Sequence, residues 1–156
     1  FDAVAAITGI RQIMSFEGQA PMELEMQIKG PVKGSYAYQL ITNSNEEQLC
    51  ISFKPLIKQI VEDVQGKREV SEISALFHNT IAEVIAEVCS LIREETHLDL
   101  VVLSGGVFQN LYLLNRSVKL LRKRGFRVLS HAIVPPNDGG ISLGQAVIAC
   151  QKMKSS

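Results

Sequence analysis

The sequence has 156 residues, of which 46% are hydrophobic and 21% charged, and this balance indicates one compact globular domain with a substantial core. Sixteen basic residues match sixteen acidic ones, and no apolar run reaches the ~18 residues of a membrane span, so neither a nucleic-acid nor a membrane partner is expected. Cys50, Cys89 and Cys150 are odd in number and widely spaced, which gives no support to a disulfide framework or a zinc ribbon and favours a reducing, cytoplasmic compartment.

The first half of the chain predicts short helices and one hairpin. Residues 1–14 have the pattern of an amphipathic helix that begins without an initiator methionine or a cap, so we expect the chain to be a fragment of a longer protein. Residues 15–25 predict a loop and a short Glu-rich helical turn, and residues 29–34 predict a connection. The segments 35–41 and 49–53 flank a polar stretch, which predicts a β-hairpin.

Two helices are predicted in the middle of the chain. Pro55 is expected to begin the first, which ends near Val64. Ser71 is predicted to be the N-cap of the second helix, because apolar residues follow it at three- and four-residue steps for more than twenty positions. This pattern predicts a core helix, and its apolar face comprises Ile73, Leu76, Phe77, Ile81, Val84, Ile85, Val88 and Ile92.

A strand–helix–strand unit is predicted next. Residues 100–103 form a short apolar run, which is typical of a strand buried on both faces of a parallel sheet. From Phe108 the apolar spacing is helical, and Gly125 follows the predicted helix end. A second strand is predicted over 126–130, and such a βαβ unit has a right-handed crossover.

The turn within this unit, "SGG", is the first candidate site. It lies at the carboxyl end of a strand and the amino end of a helix, where backbone N–H groups and the helix dipole favour an anion such as phosphate. The stretch matches none of the familiar glycine-rich phosphate motifs, however. On local sequence alone, the simpler interpretation is that Gly105 and Gly106 permit a tight turn.

The segment "PPNDGG" precedes a helix rich in small residues and contains the second candidate. Locally, Asp138 is best interpreted as the N-cap of a helix that starts near Ile141. The alternative is a metal ligand, since a carboxylate near a phosphate commonly binds Mg²⁺ or a softer ion. Gly140 and Gly144 are one turn apart, which predicts close packing of this helix on a neighbour.

Other polar residues give weaker signals. His78, His97 and His131 have no metal-ligand spacing, and His78 is expected to be a hydrogen-bonded packing residue. Ser104 and the cysteines have no recognisable base nearby in sequence, so covalent catalysis has no support. The basic run Lys119, Arg122, Lys123 and Arg124 is better explained by the dipole at a helix end than by RNA binding.

Five segments, taken in order, carry a resemblance that covers almost the whole chain: "FDAVAA", "FEGQAPMELE", "FHNTIA", "VVLSGGVFQN" and "VPPNDGGISLGQA". Together they resemble the C-terminal part of the hydrogenase maturation carbamoyltransferases of the HypF family. The last two segments are shared in looser form with the tRNA-adenosine threonylcarbamoyltransferases, whose domain is related.

This resemblance implies an α/β fold, namely one lobe of an actin-like ATPase (ribonuclease H-like) with a mixed sheet flanked by helices. Residues 1–156 would form a single domain, the second lobe around a bound ATP. Gly105 and Gly106 would contact the phosphates, Asn110 would reach the ligand from the first helical turn, and Asp2 would meet the ribose. Asp138 matches the family's metal-ligating aspartate, which favours Mg²⁺ or another divalent ion over the N-cap.

The resemblance also implies an activity. Full-length members make carbamoyl adenylate from carbamoyl phosphate and ATP, and transfer the carbamoyl group to the C-terminal cysteine of the acceptor protein HypE. This chemistry serves the cyanide ligands of nickel–iron hydrogenase. The first lobe, with its histidine cluster, and the N-terminal domains are missing partners of this chain, so we expect the chain alone to be inactive. The resemblance assigns no chemistry to "FEGQAPMELE" or "FHNTIA".

Two alternatives are open. The chain could be a lobe of a threonylcarbamoyltransferase-like enzyme, and tight tRNA binding at physiological salt would favour this alternative. It could also be a non-catalytic interaction module, whose apolar surface binds a partner or a second copy.

Overall fold

The computed structural model describes residues 1–43 and 48–155. They form two compact units, Phe1–Ile85 and Ala86–Ser156, which are described separately. That the whole chain acts as one domain stays a prediction. The first unit contains helices α1 (Asp2–Ile7), α2 (Gln19–Met26), α3 (Lys54–Gln65) and the start of α4 (Val70–Thr96), and strands β1 (Gln39–Asn43) and β2 (Gln48–Ser52).

Helix α1 is shorter than predicted, because it ends after Ile7 instead of continuing towards residue 14. The Thr8 hydroxyl donates to the Val4 carbonyl at 2.8 Å, and Gly9 adopts a left-handed φ of 77°. Side-chain hydrogen bonding to the backbone and a left-handed glycine are both typical of helix ends.

The predicted hairpin is confirmed, with β1 and β2 antiparallel and Leu40 opposite Ile51. Its connecting residues 44–47 lie outside the described residues. Strand β1 begins at Gln39, later than predicted, because the preceding amides are bonded to distant side chains. The Tyr36 amide donates to Thr80 Oγ1 at 2.8 Å, and the Ala37 amide donates to Gln59 Oε1 at 2.7 Å.

The core of the first unit lies between its helices. Leu24, Leu56, Ile60 and Ile73 are fully buried. The core role predicted for α4 is confirmed for its first turns, where Ile73 is buried, whereas Ile92 of the predicted apolar face is 48% exposed. Helix α4 is long and apolar enough to cross a membrane by length and composition alone, but half of its most apolar window is buried inside the protein. The core helix of a soluble protein can have the same length and apolar composition.

The "FHNTIA" segment has a structural role within α4. Asn79 Nδ2 donates to the Val32 and Gly34 carbonyls at 3.0 and 2.9 Å, and Thr80 Oγ1 accepts the Tyr36 amide. The His78 ring is fully buried and packs edge-on against Phe77. These contacts attach residues 32–36 to α4, and His78 is the hydrogen-bonded packing residue that was predicted.

His78 is expected to make the protein acid-sensitive. Burial lowers the pKa of His78 to about 4, although Nδ1 donates to the Ser74 carbonyl at 2.7 Å, which favours the charged form. Since the unfolded chain binds this proton near pH 6.5, stability is fully present above that pH and is lost as the pH falls towards 4. The free energy of unfolding should fall by about 2 kcal/mol between about pH 7 and pH 5.

Urea unfolding at the two pH values measures this loss, with His78→Gln as the comparison. The variant should have a lower free energy of unfolding than the original chain at neutral pH. That free energy should fall much less between about pH 7 and pH 5 than it does in the original chain, because glutamine does not titrate. Equal losses in both proteins would contradict the assignment to His78.

The second unit contains the predicted strand–helix–strand arrangement. Strands β3 (Leu100–Leu103) and β4 (Arg127–Ser130) are parallel, and Leu103 is opposite Ser130. Helix α5 (Leu111–Lys123) lies between them in sequence and packs on β4. Short 3-10 helices at Gly106–Gln109 and Asp138–Gly140 precede α5 and α6 (Ile141–Ser155), respectively.

The α/β class is confirmed, but the described strands form two separate two-stranded sheets rather than one mixed sheet. The prediction that β3 is buried on both faces is wrong, because Leu103 is buried whereas Leu100 and Val102 are 42% and 60% exposed. In the described part of the chain β3 pairs with β4 alone. Helix α6 also exposes apolar side chains, including Val147 and Ile148.

Candidate functional site

The glycine turn after β3 contacts the "PPNDGG" segment. The Gly105 amide donates to the Pro136 carbonyl at 2.8 Å, and a Cβ built on Gly106 would lie 3.9 Å from Asn137 Cβ. Gly105 has φ 102° and ψ 155°, a conformation that is essentially restricted to glycine. The structure therefore brings together the two segments that were predicted separately as candidate sites.

Helix α5 begins at Leu111 rather than at Phe108, because the 3-10 helix Gly106–Gln109 intervenes. Asn110 is the N-cap of α5, and its Oδ1 accepts a hydrogen bond from the Leu113 amide at 2.8 Å. Asn110 therefore has a structural role that was not predicted. The proposed contact of its side chain with a ligand stays a prediction, as do the phosphate contacts of Gly105 and Gly106.

Asp138 does not cap α6, so the local prediction was wrong. A 3-10 turn precedes α6, and Asn137 caps it by accepting the Gly139 amide on Oδ1 at 3.1 Å. Asp138 is exposed. A Cβ on Gly140 would lie 2.9 Å from the Pro135 carbonyl oxygen, but Gly140 belongs to the 3-10 turn and this contact is with the adjoining loop. A Cβ on Gly144 would meet nothing within 4 Å in the described chain, so the predicted close packing of the helix on a neighbour is not confirmed.

Metal binding by Asp138 stays a prediction. Within residues 1–43 and 48–155, no group of three or more His, Cys, Asp or Glu residues could hold an ion. Asp2 belongs to the first unit, where it lies exposed in the first turn of α1. Its contact with a ribose likewise stays a prediction.

One pair of polar residues was missed by the sequence analysis. Ser104 Oγ lies 2.8 Å from His131 Nε2, although 27 residues separate them in sequence. Each residue directly follows a strand, and these strands are parallel and in register. Since adjacent parallel strands end at the same sheet edge, that register is the signal that could have found the pair.

The basic run lies at the end of α5, as predicted. Arg122 and Lys123 lie in the last turn of α5. The Arg124 guanidinium donates to Ser90 Oγ at 3.1 Å, and Arg93 donates to the Arg124 carbonyl while stacking over the Phe126 ring. These contacts connect α4 to the α5–β4 turn within the second unit.

Residues 1–145 match a family model described as the second subdomain of the Kae1-like domain of carbamoyltransferases. Two similar proteins are each named carbamoyltransferase HypF. The one from Synechocystis is 36% identical to this chain and the one from Rhizobium leguminosarum is 32% identical, each over 97% of this chain. The chain spans 19% of the length of each.

Solved structures agree with this match. A full-length HypF crystallised in the phosphate- and nucleotide-bound form is 47% identical to this chain, with a TM-score of 0.91. The match covers 98% of this chain and 20% of that HypF chain. HypF from T. kodakarensis is 22% identical with a TM-score of 0.75, which supports the fold. The chain therefore belongs to the HypF carbamoyltransferase family, as the second subdomain of its Kae1-like domain.

Proposed function

We propose that this chain forms one wall of a nucleotide- and metal-binding site in a longer carbamoyltransferase. The observation that carries the proposal is the contact between the glycine turn and the "PPNDGG" segment, through the 2.8 Å hydrogen bond from Gly105 to Pro136. This contact holds the glycine turn, at the carboxyl end of a parallel strand, against the segment that contains Asp138. Ligands of open α/β sheets bind at such edges.

The structure is compatible with a divalent ion, although it supplies few ligands. Magnesium keeps several water molecules and commonly takes one or two carboxylates plus phosphate oxygens. The exposed Asp138 carboxylate would hold such an ion beside the phosphates that Gly105 and Gly106 bind. The ion would neutralise charge on the phosphoryl groups when bound.

For the reaction, we propose that the longer protein makes carbamoyl adenylate from carbamoyl phosphate and ATP, and transfers the carbamoyl group to a HypE-type acceptor in the cytoplasm. Asp2 would meet the nucleotide ribose. Since adenylate chemistry needs a closed cleft that excludes water, the first lobe of the longer protein would supply the opposite wall. The chain alone should therefore not turn over ATP.

The exposed apolar residues of the second unit support such a partner. Leu98, Val102 and Leu129 are each more than half exposed, as is Ile133 at 97%. Burial of this surface against the first lobe or the N-terminal domains would stabilise the longer protein. The same observation supports, as a second candidate, an interaction module that binds through this surface without catalysis.

Titration of Mg-ATP into the isotope-labelled chain tests the nucleotide site. We expect backbone amide shifts concentrated at Gly105, Gly106, Asn110 and Asp138. Asn110→Asp should weaken binding about tenfold, since aspartate keeps the N-cap but places a negative charge beside the phosphates.

Asn115→Asp is the matched control, because residue 115 is an exposed position of α5 beyond its first turn. This variant adds the same charge away from the glycine turn and should bind Mg-ATP almost as the original chain does. Shifts distributed elsewhere, or equal weakening by both substitutions, would contradict the proposed site.

A further inference from the structure

The Ser104–His131 pair lies at the same sheet edge as the glycine turn but has no role in the site as described above. Ser104 directly precedes Gly105, and His131 directly follows β4. Both side chains are exposed, and the 2.8 Å separation of Oγ and Nε2 is that of a hydrogen bond. The pair therefore presents a hydroxyl to solvent beside the turn.

The direction of this hydrogen bond determines what the hydroxyl offers to a ligand. A serine hydroxyl has one hydrogen. If His131 Nε2 accepts that hydrogen, Ser104 presents only lone pairs and repels an anion. If Nε2 carries a hydrogen and donates it to Oγ, the Ser104 hydrogen is free to bond an anionic oxygen.

We propose that Ser104 binds a phosphoryl oxygen through its hydroxyl, and that His131 is a positioning residue that donates to Ser104 Oγ and so directs the hydroxyl hydrogen to the ligand. The inference rests on the proposed function and extends its phosphate site by two residues. The phosphoryl group belongs either to the nucleotide or to carbamoyl phosphate. An anionic oxygen at this place favours the arrangement in which Nε2 carries a hydrogen and donates it to Ser104 Oγ, because the Ser104 hydrogen is then free to bond the anion.

The test uses the isotope-labelled 156-residue chain with inorganic phosphate, Mg-ATP and carbamoyl phosphate as separate probes, each up to about 50 mM so that weak binding is detected. Ser104→Ala and His131→Phe should each weaken binding of at least one probe about tenfold. His131→Gln should restore affinity to within about threefold, because its side-chain amide can donate. A loss confined to Mg-ATP or to carbamoyl phosphate identifies the source of the phosphoryl group.

Ser130→Ala is the matched control, since Ser130 is an exposed serine that precedes His131 and points to the other face of the strand. It should leave all affinities unchanged. The imidazole nitrogen shifts of His131 supply a second readout, which a purely structural pair would not give. Saturation with phosphate should move Nε2 to its protonated shift in the original chain, but much less in Ser104→Ala.

The outcomes separate this inference from the proposed function. Shifts at Gly105 and Gly106 with unchanged affinity in Ser104→Ala and His131→Phe would overturn the inference and leave the proposed site intact. The absence of any localised shift with all three probes would overturn both. Weakening by His131→Phe without rescue by His131→Gln would overturn the donor role of His131.

Discussion

Replacing Asp138 with asparagine in a full-length carbamoyltransferase that carries this chain is expected to lower carbamoyl phosphate-dependent AMP formation about 100-fold, which corresponds to about 2.7 kcal/mol of transition-state stabilisation. Asparagine keeps the shape of the side chain but removes the negative charge that favours a hard divalent ion. Because Asp138 is exposed and Asn137, not Asp138, caps the 3-10 turn before α6, the substitution should not disturb the fold.

Asp99→Asn is the control for this prediction. Asp99 is also an exposed aspartate of the second unit, but it precedes β3 and so lies at the opposite end of that strand from the glycine turn. Its replacement should change the rate by less than about twofold. Equal rates in the two variants would contradict a metal-binding role for Asp138.

Binding of Mn²⁺ to the labelled chain gives an independent measurement. A paramagnetic ion on the Asp138 carboxylate should broaden the amide signals of Gly139 and Gly140 first. This broadening should disappear in Asp138→Asn and persist in Asp99→Asn. The two measurements together separate loss of the ion from loss of a later catalytic step.

The elements of the second unit were largely predictable because their signals are local. The helical spacing after Phe108 and Gly125 after the helix end mark a strand–helix–strand unit that the structure confirms. The exposure of Val102 was not predictable, because an apolar run shows that a strand can be buried but not which element covers it. The start of β1 was missed for a similar reason, since the acceptor of the Tyr36 amide is the distant Thr80.

The candidate site was predictable in part. The glycine turn and the "PPNDGG" segment each have a local signature, but their contact depends on a hydrogen bond between Gly105 and Pro136 that no local pattern encodes. The Ser104–His131 pair has no local signature, because it depends on the register of two strands that are far apart in sequence. Residues that are brought together by strand pairing are thus the part of the site that local sequence patterns do not reveal.

The second large effect concerns stability. Asn79→Ala is expected to lower the free energy of unfolding by about 3 kcal/mol, because it removes two hydrogen bonds from a fully buried amide and leaves the Val32 and Gly34 carbonyls without their donor. This loss is measured by urea unfolding of the 156-residue chain. Asn115→Ala, at an exposed position of α5, should change stability by less than about 0.5 kcal/mol.

Asn79→Leu distinguishes hydrogen bonding from packing. Leucine fills most of the space left by asparagine but cannot donate, so the variant should be destabilised nearly as much as Asn79→Ala. Recovery of most of the stability in Asn79→Leu would mean that the volume of Asn79, rather than its amide, stabilises the unit. The expected result would instead show that the polar side chains of "FHNTIA" attach residues 32–36 to α4. This attachment explains why polar residues interrupt the apolar face of a core helix.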